Sequence, residues 1–167
     1  MSSMPLNNIS VILPTLIRND NQLGLTIQCI ERARNCTKLP FEFVIVETET
    51  NYLQEYADIY VYEKSKSKST RSLNRGFAVA GGDAFVLLTN DVLVYDGWLE
   101  ALCEPFELDD CGISTLGTTQ FGHIKQDAID EGIWCSVAMF PKKYTPWDEN
   151  YKNSWDDTDM VDRKSVV

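Results

Sequence analysis

A single carboxylate stands at the end of an apolar run in the stretch VLLTNDVLVYDGWL (86–99). The run Ala84–Leu88 is typical of a buried strand, and Thr89-Asn90-Asp91 ends it. A carboxylate at a strand tip can hold Mg²⁺ or Mn²⁺, because these cations prefer oxygen ligands and need few from the protein when phosphates and waters supply the rest. Asn-Asp is also ordinary turn chemistry, so a turn role for Asp91 stays open at this point.

Carboxylates crowd the tail of the chain, in WDENYKNSWDDTDMVDR (147–163). Such a charge run is usually a solvated face. A carboxylate beside an acceptor hydroxyl can instead act as a general base, taking the proton as the hydroxyl attacks. Trp147 and Trp155 lie among these acids and are candidates for stacking on a sugar ring.

Basic residues cluster in EKSKSKSTRSLNRG (63–76). The three lysines of this segment, Lys64, Lys66 and Lys68, are expected to be solvated. Arg71 and Arg75 fall at a predicted helix start beside the strand tips, where a guanidinium could help to hold a diphosphate.

Composition sets the class of protein. A chain of 167 residues suits one domain, and its net charge of −10 argues against a general nucleic-acid binder. The five cysteines form no C-x-x-C pair, so we expect reduced thiols and no zinc site. There is neither a basic, apolar leader nor a run of the roughly 20 apolar residues that cross a membrane. We therefore expect a cytoplasmic protein without a membrane span.

Strands and helices alternate in the first hundred residues. This order predicts an α/β fold, with a mostly parallel sheet flanked by helices. Ligands of such sheets bind beyond the carboxyl ends of the strands, here Pro14-Thr15, Glu47-Thr48 and Thr89-Asn90-Asp91. The predicted strands are Ile9–Leu13, Phe41–Val46, Ile59–Tyr62 and Ala84–Leu88. The predicted helices are Gln22–Asn35 capped by Asn19 or Asp20, a short one near Tyr52–Ala57, Thr70–Ala80 closed by Gly81-Gly82, and one capped by Asp96.

Four segments, in order, resemble the family 2 glycosyltransferases of the GT-A fold. ISVILPT is similar to the family's first strand and its Pro-Thr turn, and FEFVIVETE to its second strand, which usually ends in Asp. NRGFAVAGGDAFVLLTNDV carries the spacing N-x-G-x-x-x-A-x-G-[DE], and WDENYKNSWDDTDMVDR resembles the family's tail. The resemblance runs from Ile9 to Arg163 and implies a single GT-A-like domain over residues 1–167. Family members usually continue past this tail, so the domain is expected to lack their C-terminal extension.

The resemblance implies a metal-dependent, inverting transfer of a sugar from a nucleotide-sugar donor, UDP-linked, to an acceptor hydroxyl on a glycan, a lipid-linked sugar or a protein. Asp91 occupies the last position of the family's D-x-D motif and would hold Mn²⁺ or Mg²⁺. Asp157 matches the catalytic base, while Asp156 and Trp155 would meet the acceptor or the sugar. The residues expected at the nucleotide are Pro14, Thr15, Glu47, Arg71, Asn74 and Asn90.

Two other interpretations stay open. The thinned D-x-D motif and the early stop also fit a non-catalytic GT-A-like domain that binds a nucleotide sugar or a protein partner. A sugar-phosphate nucleotidyltransferase shares a similar sheet, but that class needs a glycine-rich loop after its first strand. LPTLIRND contains no such glycines.

Overall fold

The computed structural model describes residues 8–66, 68–107, 111–116 and 136–150. Within these ranges, six strands form one sheet and helices pack on both of its faces. The strands are β1 (Ile9–Thr15), β2 (Glu42–Thr48), β3 (Ile59–Glu63), β4 (Ala84–Leu88), β5 (Ser114–Thr115) and β6 (Val137–Pro141). The α-helices are α1 (Asp20–Asn35), α2 (Ser69–Val79) and α3 (Trp98–Cys103).

The sheet has the strand order β3-β2-β1-β4-β6-β5. The pairs β1–β2, β2–β3 and β1–β4 are parallel, while β6 runs antiparallel to β4 and β5. The prediction of an α/β fold with a mostly parallel sheet flanked by helices is therefore confirmed. Because β1 has a parallel neighbour on each side, its carboxyl end is flanked by the ends of β2 and β4.

The central strands are apolar along most of their length because both of their faces are covered. Successive side chains of a strand point to opposite faces. Val11 and Leu13 of β1 accordingly join the core formed with α1 and α3, whereas Ile12 joins the core formed with α2. All three side chains are fully buried. This two-sided burial explains why these strands show no polar alternation in the sequence.

Two glycines let the chain approach the sheet closely. A Cβ on Gly76 of α2 would lie 2.5 Å from Ile12 Cγ2, and one on Gly82 would lie 2.5 Å from Ser10 Oγ. The predicted closure of α2 by Gly81-Gly82 is wrong in its mechanism. Neither glycine has a positive φ, and the residue that ends α2, Ala80, is extended. Gly82 is a packing position, and neither Gly81 nor Gly82 forms a left-handed cap.

The sequence predicted a capping side chain at the start of α1 and at the start of α3, and the structure confirms only the first. Asn19, one of the two predicted caps of α1, accepts a hydrogen bond from the Gln22 amide at 2.9 Å. Asp96 was predicted to cap the later helix, but α3 begins after Gly97, whose φ is 78°, and no side chain caps it. The short helix predicted near Tyr52–Ala57 is a single 3₁₀ turn, Gln54–Tyr56. Among the described helices, none is both long enough and apolar enough to cross a membrane.

Candidate functional site

The strand tips that the sequence predicted as a site lie together at one edge of the sheet. Thr15 is paired in register with Glu47, and Thr48 with Glu63, so the ends of β1, β2 and β3 are adjacent. A cleft of about 230 Å³ opens at this edge. It is lined by Pro14, Thr15, Leu16, Thr48, Lys66, Ser69 and Ser72.

Asn90 ties the tip of β4 to its neighbours. Its side-chain amide donates to Thr15 Oγ1 at 2.8 Å and to Thr26 Oγ1 of α1 at 3.2 Å. An aspartate at this position has no N–H with which to make these bonds. Asn90 therefore holds Thr15, which is the last residue of β1 and not part of the predicted Pro-Thr turn, on one wall of the cleft. In this arrangement the Asn90 amide makes its hydrogen bonds within the protein.

Asp91 is the next residue after Asn90, but the surroundings of its side chain are different. Its side chain is exposed, and within the described part of the chain its carboxylate makes no hydrogen bond or ion pair. Both oxygens are thus open to a ligand. No group of three or more His, Cys, Asp or Glu that could hold a metal occurs among the described residues. The donor set fits a divalent cation that takes one protein carboxylate and completes its shell with phosphates and waters.

Glu47 is fully buried at the end of β2 and is saturated by the protein. It holds the following turn through the Thr50 hydroxyl at 2.6 Å and the amides of Tyr52 and Leu53, each at 2.9 Å. The Tyr60 hydroxyl of β3 adds a fourth bond at 2.9 Å. Burial, followed by this contact with Glu47, raises the pKa of Tyr60 well above its ordinary value.

Glu63, at the end of β3, was not singled out from the sequence. Its side chain is fully buried, and it accepts hydrogen bonds from Thr48 Oγ1 at 2.8 Å and Ser72 Oγ at 2.5 Å. Arg75 Nη1 forms an ion pair with its other oxygen. Two of these three donors, Thr48 and Ser72, line the cleft. A carboxylate directly before a lysine run offers no periodic signal in the sequence, so only the fold identifies Glu63 as buried.

One face of α2 binds the segment that follows β6. Arg71 Nε lies 3.1 Å from Glu149 Oε2, and Lys68 Nζ donates to the Glu149 carbonyl at 2.7 Å. Asn74 donates to the Trp147 carbonyl and accepts from the Trp147 amide, both at 2.8 Å. The hydrogen bond from Asn74, with the guanidinium of Arg71 beside it, lowers the pKa of Glu149. In this arrangement Arg71 and Asn74 hold residues 147–149 beside the start of α2.

Trp147 does not have the exposure that sugar stacking needs. It is 5% exposed and packs against Phe77 and Phe140, with ring centroids 5.7 and 5.5 Å away. The prediction that it could stack on a sugar is therefore wrong, because the aromatic core beneath α2 takes its faces. Lys66 is exposed, as expected, and it also lines the cleft.

The tail residues predicted to act on the acceptor lie outside the described ranges. Trp155, Asp156 and Asp157 belong to this group, so their predicted roles stay predictions. The described site consists of the donor-side tips Pro14, Thr15, Glu47, Asn90 and Asp91. Arg71 and Asn74 stand beside it on α2.

Comparison with known proteins shows what this chain is similar to in sequence and in fold. The family model for glycosyl transferase family 2 matches residues 10–152. No curated protein sequence matches significantly. The chain is similar to a mannosyltransferase from Pyrobaculum calidifontis in complex with GDP-Man and Mn²⁺, with 14% identity and a TM-score of 0.72 over 93% of this chain and 51% of that one.

Two further solved structures share the fold. Staphylococcus aureus TarS (residues 1–349) in complex with UDP is 11% identical, with a TM-score of 0.70 over 94% of this chain and 54% of that one. Glucosyl-3-phosphoglycerate synthase from Mycobacterium tuberculosis, in complex with Mn²⁺, UDP and glucosyl-3-phosphoglycerate, is 17% identical, with a TM-score of 0.51 over 64% and 42% of the two chains. The chain thus spans about half the length of the first structures it matches.

Proposed function

The chain belongs to glycosyl transferase family 2, and from this premise we propose that it transfers a sugar from a UDP-linked donor to an acceptor hydroxyl. The observation that carries the proposal is the cleft at the carboxyl edge of the parallel strands, with the open carboxylate of Asp91 on the adjoining tip of β4. Structures similar to this chain hold GDP-Man or UDP. We assign the same class of donor to this cleft.

The donor half of the reaction uses groups that are already held in place. Pro14 and Thr15 form a wall that Asn90 fixes by hydrogen bonding. Glu47 orders the turn after β2, through which it contributes to the base and ribose contact. Arg71 and Asn74 flank the cleft from α2, and Arg71 reaches a diphosphate when it leaves Glu149. Binding groups that are held in place before the ligand arrives reduce the entropy cost of binding.

Asp91 would hold the divalent cation, Mn²⁺ or Mg²⁺, against the diphosphate. When bound, such a cation supplies Lewis-acid stabilisation of the charge on the leaving diphosphate. The exposure of Asp91 and its lack of a protein partner within the described residues support this role. A carboxylate that the protein has already saturated could not take it without losing other bonds.

The acceptor half is assigned to the tail. Asp157 takes the proton of the acceptor hydroxyl as that oxygen attacks the anomeric carbon, the sugar–phosphate bond breaks and the diphosphate leaves with the bonding electrons. A single attack from the opposite face inverts the configuration. Asp156 and Trp155 orient the acceptor or the sugar. This assignment rests on the resemblance of SWDDTDM to the family's tail, which lies beyond the residues 10–152 that the family model matches.

Melting curves with nucleotides and nucleotide sugars, with and without Mn²⁺, test donor binding. A ligand at 100 times its dissociation constant should stabilise the protein by about 2.7 kcal/mol. Transfer is tested with Asp157→Asn, which should keep donor affinity and lose about 10²–10⁴-fold in rate. Asp159→Asn is the matched control in the same segment. Normal transfer by Asp157→Asn would move the base to another residue.

A second candidate function is a non-catalytic domain that binds a nucleotide sugar or a partner. One observation favours it: Thr89 and Asn90 stand where the family has its other metal-binding acid, so Asp91 is the sole carboxylate of that tip. A protein that binds UDP but neither transfers sugar to any acceptor nor hydrolyses the donor would establish this alternative.

A further inference from the structure

Glu63 accepts hydrogen bonds from the hydroxyl groups of two residues that line the cleft. Thr48 Oγ1 and Ser72 Oγ both donate to the same oxygen of this buried carboxylate, Oε2, at 2.8 and 2.5 Å. The second oxygen, Oε1, is held by Arg75. Thr48 comes from β2 and Ser72 from α2, so Glu63 joins two walls of the cleft from behind.

The direction of these hydrogen bonds decides what the wall can do. A hydroxyl carries one hydrogen, and an ionised carboxylate has none to give back. With Glu63 paired to Arg75, the hydrogens of Thr48 and Ser72 are both committed to Glu63. Neither hydroxyl can donate to a ligand while that network stands. The wall therefore meets a ligand as a hydrogen-bond acceptor, with a carboxylate behind it.

A wall of hydrogen-bond acceptors suits the nucleoside half of a nucleotide and not its diphosphate half. A base N–H or a ribose hydroxyl can donate to it, whereas a diphosphate has only acceptor oxygens and carries negative charge. We infer that Glu63 is a positioning residue that fixes the polarity of this wall, so that the Thr48 hydroxyl receives a base N–H and the wall excludes the phosphates. The inference deepens the proposed function, on which it rests for the class of ligand.

Isosteric variants test this polarity directly. Thr48→Val keeps the shape of the side chain and removes the acceptor, while Thr48→Ser, the matched control, keeps the hydroxyl. The probes are uridine, 3-methyluridine, guanosine and inorganic pyrophosphate, measured by calorimetric titration. We expect Thr48→Val to bind its preferred nucleoside about tenfold more weakly and pyrophosphate unchanged, and Thr48→Ser to stay near the wild type. Methylation of the uracil N3 should cost the wild type about as much and cost Thr48→Val nothing further.

Glu63→Gln tests the positioning role. A glutamine side chain must use its N–H₂ group near these hydroxyls, which turns a hydroxyl hydrogen toward the cleft. The ratio of nucleoside to pyrophosphate affinity should then fall about tenfold, a readout that a merely structural role would not move. If this variant does not fold, Thr48→Val carries the test alone.

Three results would overturn the inference: equal nucleoside binding by Thr48→Val and the wild type, a proportional loss of pyrophosphate, or no binding of either nucleoside by the wild type. A failure of the proposed function would give a different pattern of results. A protein that shows the expected nucleoside pattern but transfers no sugar refutes the transfer and keeps the role of Glu63.

Discussion

The carboxylates at the carboxyl ends of three strands, β2, β3 and β4, have opposite surroundings. At the ends of β2 and β3, Glu47 and Glu63 are buried and accept four and three hydrogen bonds from the residues named above. At the tip of β4, Asp91 is exposed and bonds to nothing among the described residues. Position at a strand end is common to all three. What separates them is whether described residues already bind their oxygens, and of the three only Asp91 has no such partner on either oxygen.

This contrast predicts which substitutions damage the fold. Glu47→Ala leaves two backbone amides and two hydroxyls without their acceptor, so we expect the free energy of unfolding to fall by about 3 kcal/mol or more. Urea denaturation measures this loss. The affinities for UDP and for uridine should fall by the same factor. The turn that Glu47 holds is assigned to the base and the ribose, and not to the phosphates.

Glu55→Ala is the control for that measurement, since Glu55 is exposed in the same connection and should change stability by less than about 0.5 kcal/mol. A Glu47→Ala protein as stable as this control would remove the distinction between saturated and open carboxylates.

Asp91→Asn tests the open side. Because Asp91 has no partner among the described residues, the unfolding free energy without ligand should stay within about 0.5 kcal/mol of the wild type. With UDP at about 100 times its dissociation constant, Mn²⁺-dependent stabilisation, up to about 2.7 kcal/mol in the wild type, should disappear. Melting curves with and without Mn²⁺ measure both effects. Persistence of the Mn²⁺ effect would show that Asp91 is not the ligand.

The sequence predicted the place of the site better than the roles within it. Continuous apolar strands define a parallel sheet, and a parallel sheet brings the ends of β1, β2 and β4 together, so Pro14, Thr15 and Asp91 could be placed from the pattern alone. Glu47 was found at its tip, but its four bonds come from a turn and from β3, which no local pattern reveals.

Contacts between distant segments account for most of what was missed. The bond between Arg71 and Glu149 spans 78 residues, and that from Asn74 to the Trp147 carbonyl spans 73. These pairings depend on how the segment after β6 crosses α2. The burial of Trp147 has the same cause, because its neighbours Phe77 and Phe140 come from two other elements. Composition alone gave it the appearance of an exposed aromatic among acids.

Tyr60 gives a pH test of the saturated side. At pH 8, Tyr60→Phe should be less stable by about 1.5 kcal/mol, because it removes a hydrogen bond to the Glu47 carboxylate. Burial and the nearby Glu47 raise the pKa of Tyr60, so the folded protein keeps the phenol neutral while the unfolded chain ionises near pH 10. This contribution is present below pH 10 and is lost as the pH rises further.

The stability gap between the wild type and Tyr60→Phe should therefore narrow above pH 10 in urea denaturation series. Tyr95→Phe serves as the control, since Tyr95 is 71% exposed. A gap that stays constant to pH 11 would contradict a neutral phenol held against Glu47.

The smallest effect concerns the backbone of the turn that Glu47 holds. Glu49 has a φ of 67°, the left-handed region, where a Cβ costs about 1 kcal/mol. Its own amide is fixed on the Glu63 carbonyl at 2.8 Å, and Glu47 binds the residues that follow, so the turn cannot relax. Glu49→Ala and Glu49→Gly both lose the carboxylate that accepts from the Lys66 amide, and they differ in the Cβ. In most of a protein alanine is the more stable of the two. Here Glu49→Gly should be more stable than Glu49→Ala by about 1 kcal/mol in urea denaturation, and the reverse order would mean that the saturated side of the cleft does not hold this turn.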